Sequence, residues 1–149
     1  MTLKVVIVYA SRTGETKEIA VCIAQGIHEQ GIQADIFDIS QVMDENHLRG
    51  YDGYVFGSSI YGEEILPEMR NFLGKVSQLD FNGKVGGAFG SYEWNEVVPD
   101  RIYEIMDNIM KMDMVKGSLK LKPPLLGHKE QEAKDYGRSI AEKIIGLNS

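Results

Sequence analysis

Apolar runs with the character of buried strands alternate in this sequence with segments whose apolar residues have helical spacing. Residues 3–9 form an apolar, β-branched run broken by a single lysine, which is typical of a strand buried on both faces of a parallel sheet. Apolar residues then recur at spacings of three and four between Thr16 and Ile27, which predicts a helix that ends near Gly31. This strand and helix are the first of several such units.

The same alternation continues to the end of the chain. Further strands are predicted at residues 32–39, 53–57, 85–90 and 119–121. The first of them alternates apolar and polar residues, which favours the edge of a sheet. Helices are predicted at residues 65–76, 98–112 and 133–144, with a weak helix at 41–48. Five strand–helix units without a linker predict one α/β domain over residues 1–149, with a five-stranded parallel sheet between two helix layers.

The balance of charged residues argues against one class of partner. Lys and Arg number 16 against 22 Asp and Glu, so the formal net charge is −6, and no Lys/Arg-rich run is present. Because nucleic-acid affinity comes mostly from clustered cations, we expect no nucleic-acid partner. The acidic surface instead favours basic protein partners.

The single cysteine and the N-terminal segment indicate a cytoplasmic protein. Cys22 cannot form an internal disulfide and falls within a predicted helix, so we expect it to be a packing residue in a reducing compartment. Residues 1–8 lack the basic region and cleavage site of a signal peptide. No apolar run approaches the roughly 20 residues that span a bilayer, so we expect no membrane contact. The three histidines lack ligand spacing, so we expect no metal site.

The loop after the first predicted strand has the composition of an anion site. Ligands of open parallel sheets bind outside the carboxyl ends of the strands. Ser11, Thr13 and Thr16 place hydroxyl groups there, with Gly14, at the start of a helix whose first amides lack intrahelical partners. These groups could bind a phosphate, or the hydroxyls could simply cap the helix. Neither the P-loop pattern nor the dinucleotide pattern is present, which argues against ATP and NAD.

Aromatic residues occupy the loops after the third and fourth predicted strands. Tyr61 follows one strand, and Tyr92 and Trp94 follow the other. Aromatic rings in adjacent loops beside a phosphate site can form a slot for a flat heterocycle. The alternative is that each ring packs in the core or on the surface.

The three loops together resemble those of the flavodoxin family. The pattern Ser11-x-Thr13-Gly14-x-Thr16 after an apolar strand resembles the family's phosphate loop, which usually begins with Thr. Segments 57–64 and 89–94 are similar to the family's loops after the third and fourth strands. The resemblance is strongest to short-chain flavodoxins and to the flavodoxin-like domain of flavodiiron proteins. It implies a flavodoxin-like three-layer sandwich with strand order 2-1-3-4-5.

The resemblance also implies non-covalently bound FMN. Residues 11–16 would surround the phosphate, Tyr61 and either Tyr92 or Trp94 would flank the ring, and the backbone of Gly62 would meet flavin N5. A glycine there lets the peptide turn towards N5, which predicts a stabilised one-electron-reduced flavin. The cofactor-binding residues implied are Ser11, Arg12, Thr13, Gly14, Glu15, Thr16, Ser58, Ser59, Ile60, Tyr61, Gly62, Gly90, Ser91, Tyr92, Glu93 and Trp94.

Five carboxylates fall in the loop regions assigned to the ring: Glu63, Glu64, Glu68, Glu93 and Glu96. Negative charge beside a reduced flavin lowers its reduction potential, although solvent screens exposed charges. The same charges could steer basic partners. The first three also suit a helix N-terminus, so both interpretations stay open.

These features predict a low-potential carrier that moves electrons one at a time through FMN. The expected partners are basic or iron–sulfur redox proteins in transient contact, and the chain is expected to be a monomer. The alternative is an NAD(P)H-dependent quinone or FMN reductase built on the same fold. Short loops favour the carrier, because a carrier needs only one exposed flavin edge and a small docking face.

Overall fold

The alternation of strands and helices is present in the structure, a computed structural model that describes residues 2–12, 14–42, 44–61, 64–92 and 98–148. The strands are β1 Lys4–Ala10, β2 Gln33–Asp38, β3 Gly53–Tyr61, β4 Glu64–Ile65, β5 Val85–Ser91, β6 Asp113–Met114 and β7 Leu119–Leu121. The helices are α1 Glu15–His28, α2 Pro67–Val76, α3 Val98–Glu104 and α4 His128–Leu147. Within the described residues, no helix combines the length and the hydropathy needed to cross a membrane.

The sheet has the expected parallel order. Its strands run β2-β1-β3-β5-β6, with β7 also paired to β5. Among the described strands only β4 is antiparallel, as a short partner of β3. In terms of the five predicted strands the order 2-1-3-4-5 is confirmed, with β6 and β7 sharing the fifth position. The strand at 32–39 lies at the edge, as its alternating pattern predicted.

The continuous apolar run of β1 is explained by a hydrophobic core on each face of the sheet. Alternate side chains enter opposite cores: Val5, Ile7 and Tyr9 on the side of α1 and α4, and Val6, Val8 and Ala10 on the side of α2. Both faces are therefore covered, which is why the strand carries no polar alternation. Cys22 is buried in the first of these cores, as expected, and burial raises the pKa of its thiol.

The weak helix predicted at 41–48 is wrong. Two short 3₁₀ turns form there instead: Ile39–Gln41 overlaps the start of that stretch, and Glu45–Leu48 forms its end. Asp38 Oδ1 accepts from the Ser40 amide at 2.9 Å, and Asp44 Oδ1 accepts from the Asn46 amide at 2.7 Å. Aspartate side chains that bind nearby amides favour turns over a continuous helix.

The helix predicted at 98–112 ends earlier. After α3 the chain forms a single π-helical stretch, Ile105–Ile109, in which the Met110 amide donates to the Ile105 carbonyl at 3.0 Å. The chain then enters β6, a two-residue strand for which the sequence has no separate pattern.

A tyrosine side chain fills the gap between β6 and β7. The chain leaves the sheet between these strands, so part of β5 has no strand partner on that side. The hydroxyl of Tyr136, on α4, accepts from the Ala88 amide at 3.0 Å and donates to the Gly117 carbonyl at 2.9 Å. Burial raises the pKa of Tyr136, so the hydroxyl keeps the proton that it donates. A side chain thus completes the hydrogen bonding of the sheet.

Two glycines allow α1 and α4 to cross in backbone contact. A Cβ on Gly26 would overlap the carbonyl of Lys134, and a Cβ on Gly137 would overlap the carbonyl of Ile23. Both glycines lie inside helices, where no turn requires them. The close crossing fixes α1, whose N-terminus forms part of the first loop.

We expect alanine at two helical glycines to change stability in opposite directions. Gly137→Ala should lower the free energy of unfolding by about 1–3 kcal/mol, because the new methyl group must displace a backbone carbonyl. Gly74→Ala, in α2, should raise it by about 0.5–1 kcal/mol, since nothing lies within 4 Å of the new atom. Urea denaturation measures both changes, and a Gly137→Ala protein as stable as the parent would contradict the close crossing.

Candidate functional site

The buried polar residues of the described chain lie together at the carboxyl ends of the central strands. They are Thr16, Ser58, Ser59 and Ser91. β1, β3 and β5 are neighbours in the sheet, so their carboxyl ends meet at one edge. Buried hydroxyl groups need hydrogen-bond partners, and here the partners belong to the loops that follow these strands.

Ser59 joins β3 to the first loop. Its Oγ accepts from the Arg12 amide at 3.1 Å and lies 3.4 Å from the Ala10 carbonyl, to which it donates. Ser58 Oγ accepts from the Leu66 amide at 3.2 Å, just before α2. The two adjacent serines therefore fix the path of the chain on both sides of the β3 terminus.

Thr16 and Ser91 join the first loop to the third. Thr16 is fully buried in the first turn of α1, and its Oγ1 lies 3.0 Å from Oγ of Ser91 at the end of β5. These residues are separated by 75 positions in the sequence. With the Ser59 contacts, this hydrogen bond ties all three loops into one unit.

The N-terminus of α1 lies at this unit, since Thr16 of its first turn bonds Ser91. Gly14 occupies the cap position with a positive φ of 90°, and nothing lies within 4 Å of where its Cβ would be. Its amide donates to Ser11 Oγ at 2.9 Å. Amides of a first helical turn have no intrahelical acceptor, and the helix dipole favours an anion there. The arrangement therefore fits a phosphate group.

Arg12 bonds the second loop through its backbone amide, while its charged side chain is directed to α2. Its guanidinium forms an ion pair with Glu68 of α2, with Nη2 3.3 Å from Oε1, and both side chains are about half exposed, at 53% and 41%. That amides and hydroxyls would hold a phosphate at the first loop stays a prediction.

Arginines neutralise part of the predicted acidic cluster. Glu68 pairs with Arg12, and Glu64 pairs with Arg70 at 3.1 Å. Their negative charge near the site is therefore smaller than the sequence suggested. The remaining members, Glu63, Glu93 and Glu96, lie outside the described residues.

The structure brings most of the predicted site residues to one edge. Gly90 pairs in register with Ser58, and the amide of Tyr92 donates to the Leu121 carbonyl at 3.1 Å. The backbones of Ile60 and Tyr61 pair with β4, opposite Ile65 and Glu64. Thr13, Gly62, Glu93 and Trp94 lie outside the described residues, so their predicted roles stay predictions.

Sequence reasoning missed a polar cluster beside the third loop. Both carboxylate oxygens of Asp100, in the first turn of α3, are bonded: Ser118 Oγ donates at 2.6 Å and Lys120 Nζ donates at 2.7 Å. Desolvation alone would raise the pKa of Asp100, but these two donors outweigh it and hold the pKa below its usual value. No local pattern could reveal partners 18 and 20 residues away.

The hydrogen bond between Thr16 and Ser91 predicts a non-additive pair of substitutions. Thr16→Val should lower the free energy of unfolding by about 1–3 kcal/mol, because it leaves a buried hydroxyl without its partner. Ser91→Ala should act similarly. The double variant should lose less than the sum of the two, which urea denaturation of the protein without added ligand measures. Strictly additive losses would show that the two hydroxyls do not depend on each other.

Comparisons with known proteins agree with this geometry. A family model described as "Flavodoxin domain" matches residues 6–84, which is more than half of the chain. The chain is 29% identical over 145 residues to "Probable flavodoxin 2" of Bacillus subtilis, covering 94% of this chain and 95% of that protein. It is 30% identical over 146 residues to an "Anaerobic nitric oxide reductase flavorubredoxin" of Aliivibrio salmonicida, covering 94% of this chain but only 29% of that protein.

Solved structures show the same fold. The chain matches a flavodoxin from the domain Archaea with a TM-score of 0.90 and 29% identity, covering 96% of this chain and 99% of that one. It matches rubredoxin oxygen:oxidoreductase of Desulfovibrio gigas with the same TM-score and 23% identity, covering 98% of this chain and 37% of that one. The second match shows likeness of fold alone.

Proposed function

This chain belongs to the flavodoxin family, whose cofactor is FMN, and we propose that it passes electrons one at a time between protein partners through that cofactor. The observation that supports this is the hydroxyl-bonded edge of the sheet. Thr16 and Ser59 hold three loops around the N-terminus of α1, where Gly14 is the cap residue and the phosphate of a flavin mononucleotide fits. FMN, when bound, supplies reversible uptake of electrons.

The residues of the first loop would bind the phosphate and orient the rest of the cofactor. The amides at the start of α1 and the hydroxyls of Ser11 and Thr13 would donate to the phosphate oxygens. Ser59 keeps the Arg12 amide engaged, so the loop conformation is set by the protein itself. A loop already fixed loses less conformational entropy when the cofactor binds.

The second and third loops would hold the ring. Tyr61 pairs with Glu64 in the described chain, and Gly62, which follows Tyr61 in the sequence, is the residue assigned to flavin N5. Tyr61 and either Tyr92 or Trp94 would cover the two faces of the ring and exclude water from them. Ile60, Gly90, Ser91 and Glu93 complete the proposed contact set.

The acidic character of the chain supports exchange with basic or iron–sulfur redox proteins. The net charge is −6, and complementary charge speeds encounter between transient partners. We place this exchange in the cytoplasm, with the chain acting as a monomer. The alternative is an NAD(P)H-dependent quinone or FMN reductase.

The relatives leave room for carriers and for parts of larger enzymes. The chain spans nearly all of the Bacillus subtilis flavodoxin, but about 29% of the flavorubredoxin of Aliivibrio salmonicida, a relative named as a nitric oxide reductase. Electron transfer through FMN is compatible with both settings.

A comparison of FMN with riboflavin tests the phosphate site. We expect the protein freed of cofactor to bind FMN far more tightly than riboflavin, because only FMN carries the phosphate. Ser11→Ala and Thr13→Val should each weaken FMN binding by roughly tenfold, equivalent to about 1.4 kcal/mol, and leave riboflavin nearly unchanged. Quenching of flavin fluorescence gives both affinities.

A matched control is available on α4. Ser139 Oγ bonds only its own helix, to the Asp135 carbonyl at 3.1 Å, so Ser139→Ala should change neither affinity. Equal losses of FMN and riboflavin in Ser11→Ala would contradict the phosphate role. A protein that binds neither flavin would refute the proposed function.

A reductive titration separates the carrier from the reductase. Stepwise addition of dithionite to the FMN-loaded protein should resolve separate one-electron steps in the visible spectrum. Mixing the same protein with NADH or NADPH, with no partner present, should give negligible turnover. Rapid oxidation of either nucleotide would instead favour the reductase.

A further inference from the structure

The third loop is anchored at both ends on one short strand. At its start, the Tyr92 amide donates to the Leu121 carbonyl of β7 at 3.1 Å. Beyond residues 93–97, Asp100 accepts from Lys120 of the same strand and from Ser118 just before it, at 2.7 and 2.6 Å. The described residues on either side of positions 93–97 are therefore both bonded at β7.

The strand that receives both anchors lies beside the strand from which the loop emerges. Lys120 is in register with Gly90, and Leu121 is in register with Ser91, the last residue of β5. Ser91 also bonds Thr16 of the first loop. Asp100 therefore bonds Lys120, which lies in β7 beside β5, and the end of β5 bonds the first loop, where the phosphate site is proposed.

The contacts of Asp100 are more extensive than those of an ordinary surface ion pair. Each carboxylate oxygen has its own donor, and the exposed fractions of the Lys120 and Asp100 side chains are 30% and 40%. Asp135 and Arg138, on α4, offer a comparison, because this more exposed pair joins residues of one helix turn and constrains no loop. Bonds at both oxygens restrict the carboxylate in orientation as well as in position.

We propose that Asp100, with Lys120 and Ser118, positions the third loop so that its aromatic residues can stack on the flavin ring. The inference rests on the proposed function, since the loop needs a ring to cover. Asp100 is a positioning residue: it acts on the ring-binding loop by holding the chain that follows the loop to Lys120 and Ser118, while the Tyr92 amide holds the start. Substitution of Asp100 should therefore weaken binding of FMN and of riboflavin, because both contain the ring.

Binding of two flavins to the protein freed of cofactor tests this. Asp100→Asn and Lys120→Met should each weaken binding of FMN and binding of riboflavin by the same factor, roughly three- to tenfold. The double variant should lose little more than either single variant, because both remove one interaction. Ser118→Ala, which leaves the ion pair in place, should give a smaller loss of the same kind.

Trp94 provides a readout that does not depend on bound flavin. It is the only tryptophan in the chain and lies in this loop, so acrylamide quenching of its emission reports on the loop directly. Quenching should rise in Asp100→Asn and Lys120→Met, while the thermal unfolding midpoint stays near that of the parent. Asp135→Asn, which breaks the comparison pair on α4, should alter none of these measurements.

The outcomes are distinct. Unchanged flavin affinities with unchanged Trp94 quenching would overturn the positioning role and leave the proposed function standing. Loss of FMN affinity alone, with riboflavin unaffected, would also overturn it, because the effect would then act through the phosphate. If the parent protein binds neither flavin, the proposed function fails and this inference fails with it.

Discussion

Hydrogen bonds between buried hydroxyl groups and loop backbone hold the carboxyl edge of this sheet together. A parallel sheet brings the ends of β1, β3 and β5 to one edge, but it does not fix the loops that follow them. Ser59 binds the Arg12 amide, and Thr16 binds Ser91, so residues 47 and 75 positions apart become neighbours. These bonds fix the described residues of the loops relative to one another, and a site whose residues are already fixed loses less entropy on binding.

Two carboxylates near the site are paired with arginines, which the net charge of the chain does not reveal. The chain is acidic overall, yet Glu64 and Glu68 each face an arginine, and the guanidinium of Arg12 is directed to α2 and not to the phosphate position. Two positive charges therefore offset two carboxylates beside the edge proposed for the flavin. The effect of this edge on reduction potential depends on the paired groups together, and counting carboxylates alone overstates it.

The sequence was sufficient for features that depend on local pattern. The apolar run at 3–9, the helical stripe from Thr16 to Ile27 and the polar loops after the strands each reflect a short-range rule, so the fold and the three loops of the site could be predicted. Features that depend on partners far along the chain could not. Gly26 and Gly137 lie inside helices, where glycine has no local reason to be, and only the crossing of α1 and α4 explains them. The turns at 39–48 were missed because aspartate caps overrode a helical pattern.

The segment between β6 and β7 does not pair as a strand, because the hydroxyl of Tyr136 bonds the backbone there. Between β6 and β7 the backbone bonds tyrosine side chains in place of a strand: Tyr103 donates to Val115, and Tyr136 donates to Gly117. Lys116 and Gly117 are exposed, so extra residues inserted between them would displace no core side chain. Doubling the length of a flexible loop costs only about 0.6 kcal/mol in closure entropy. New surface could therefore be added between β6 and β7 without displacing the core.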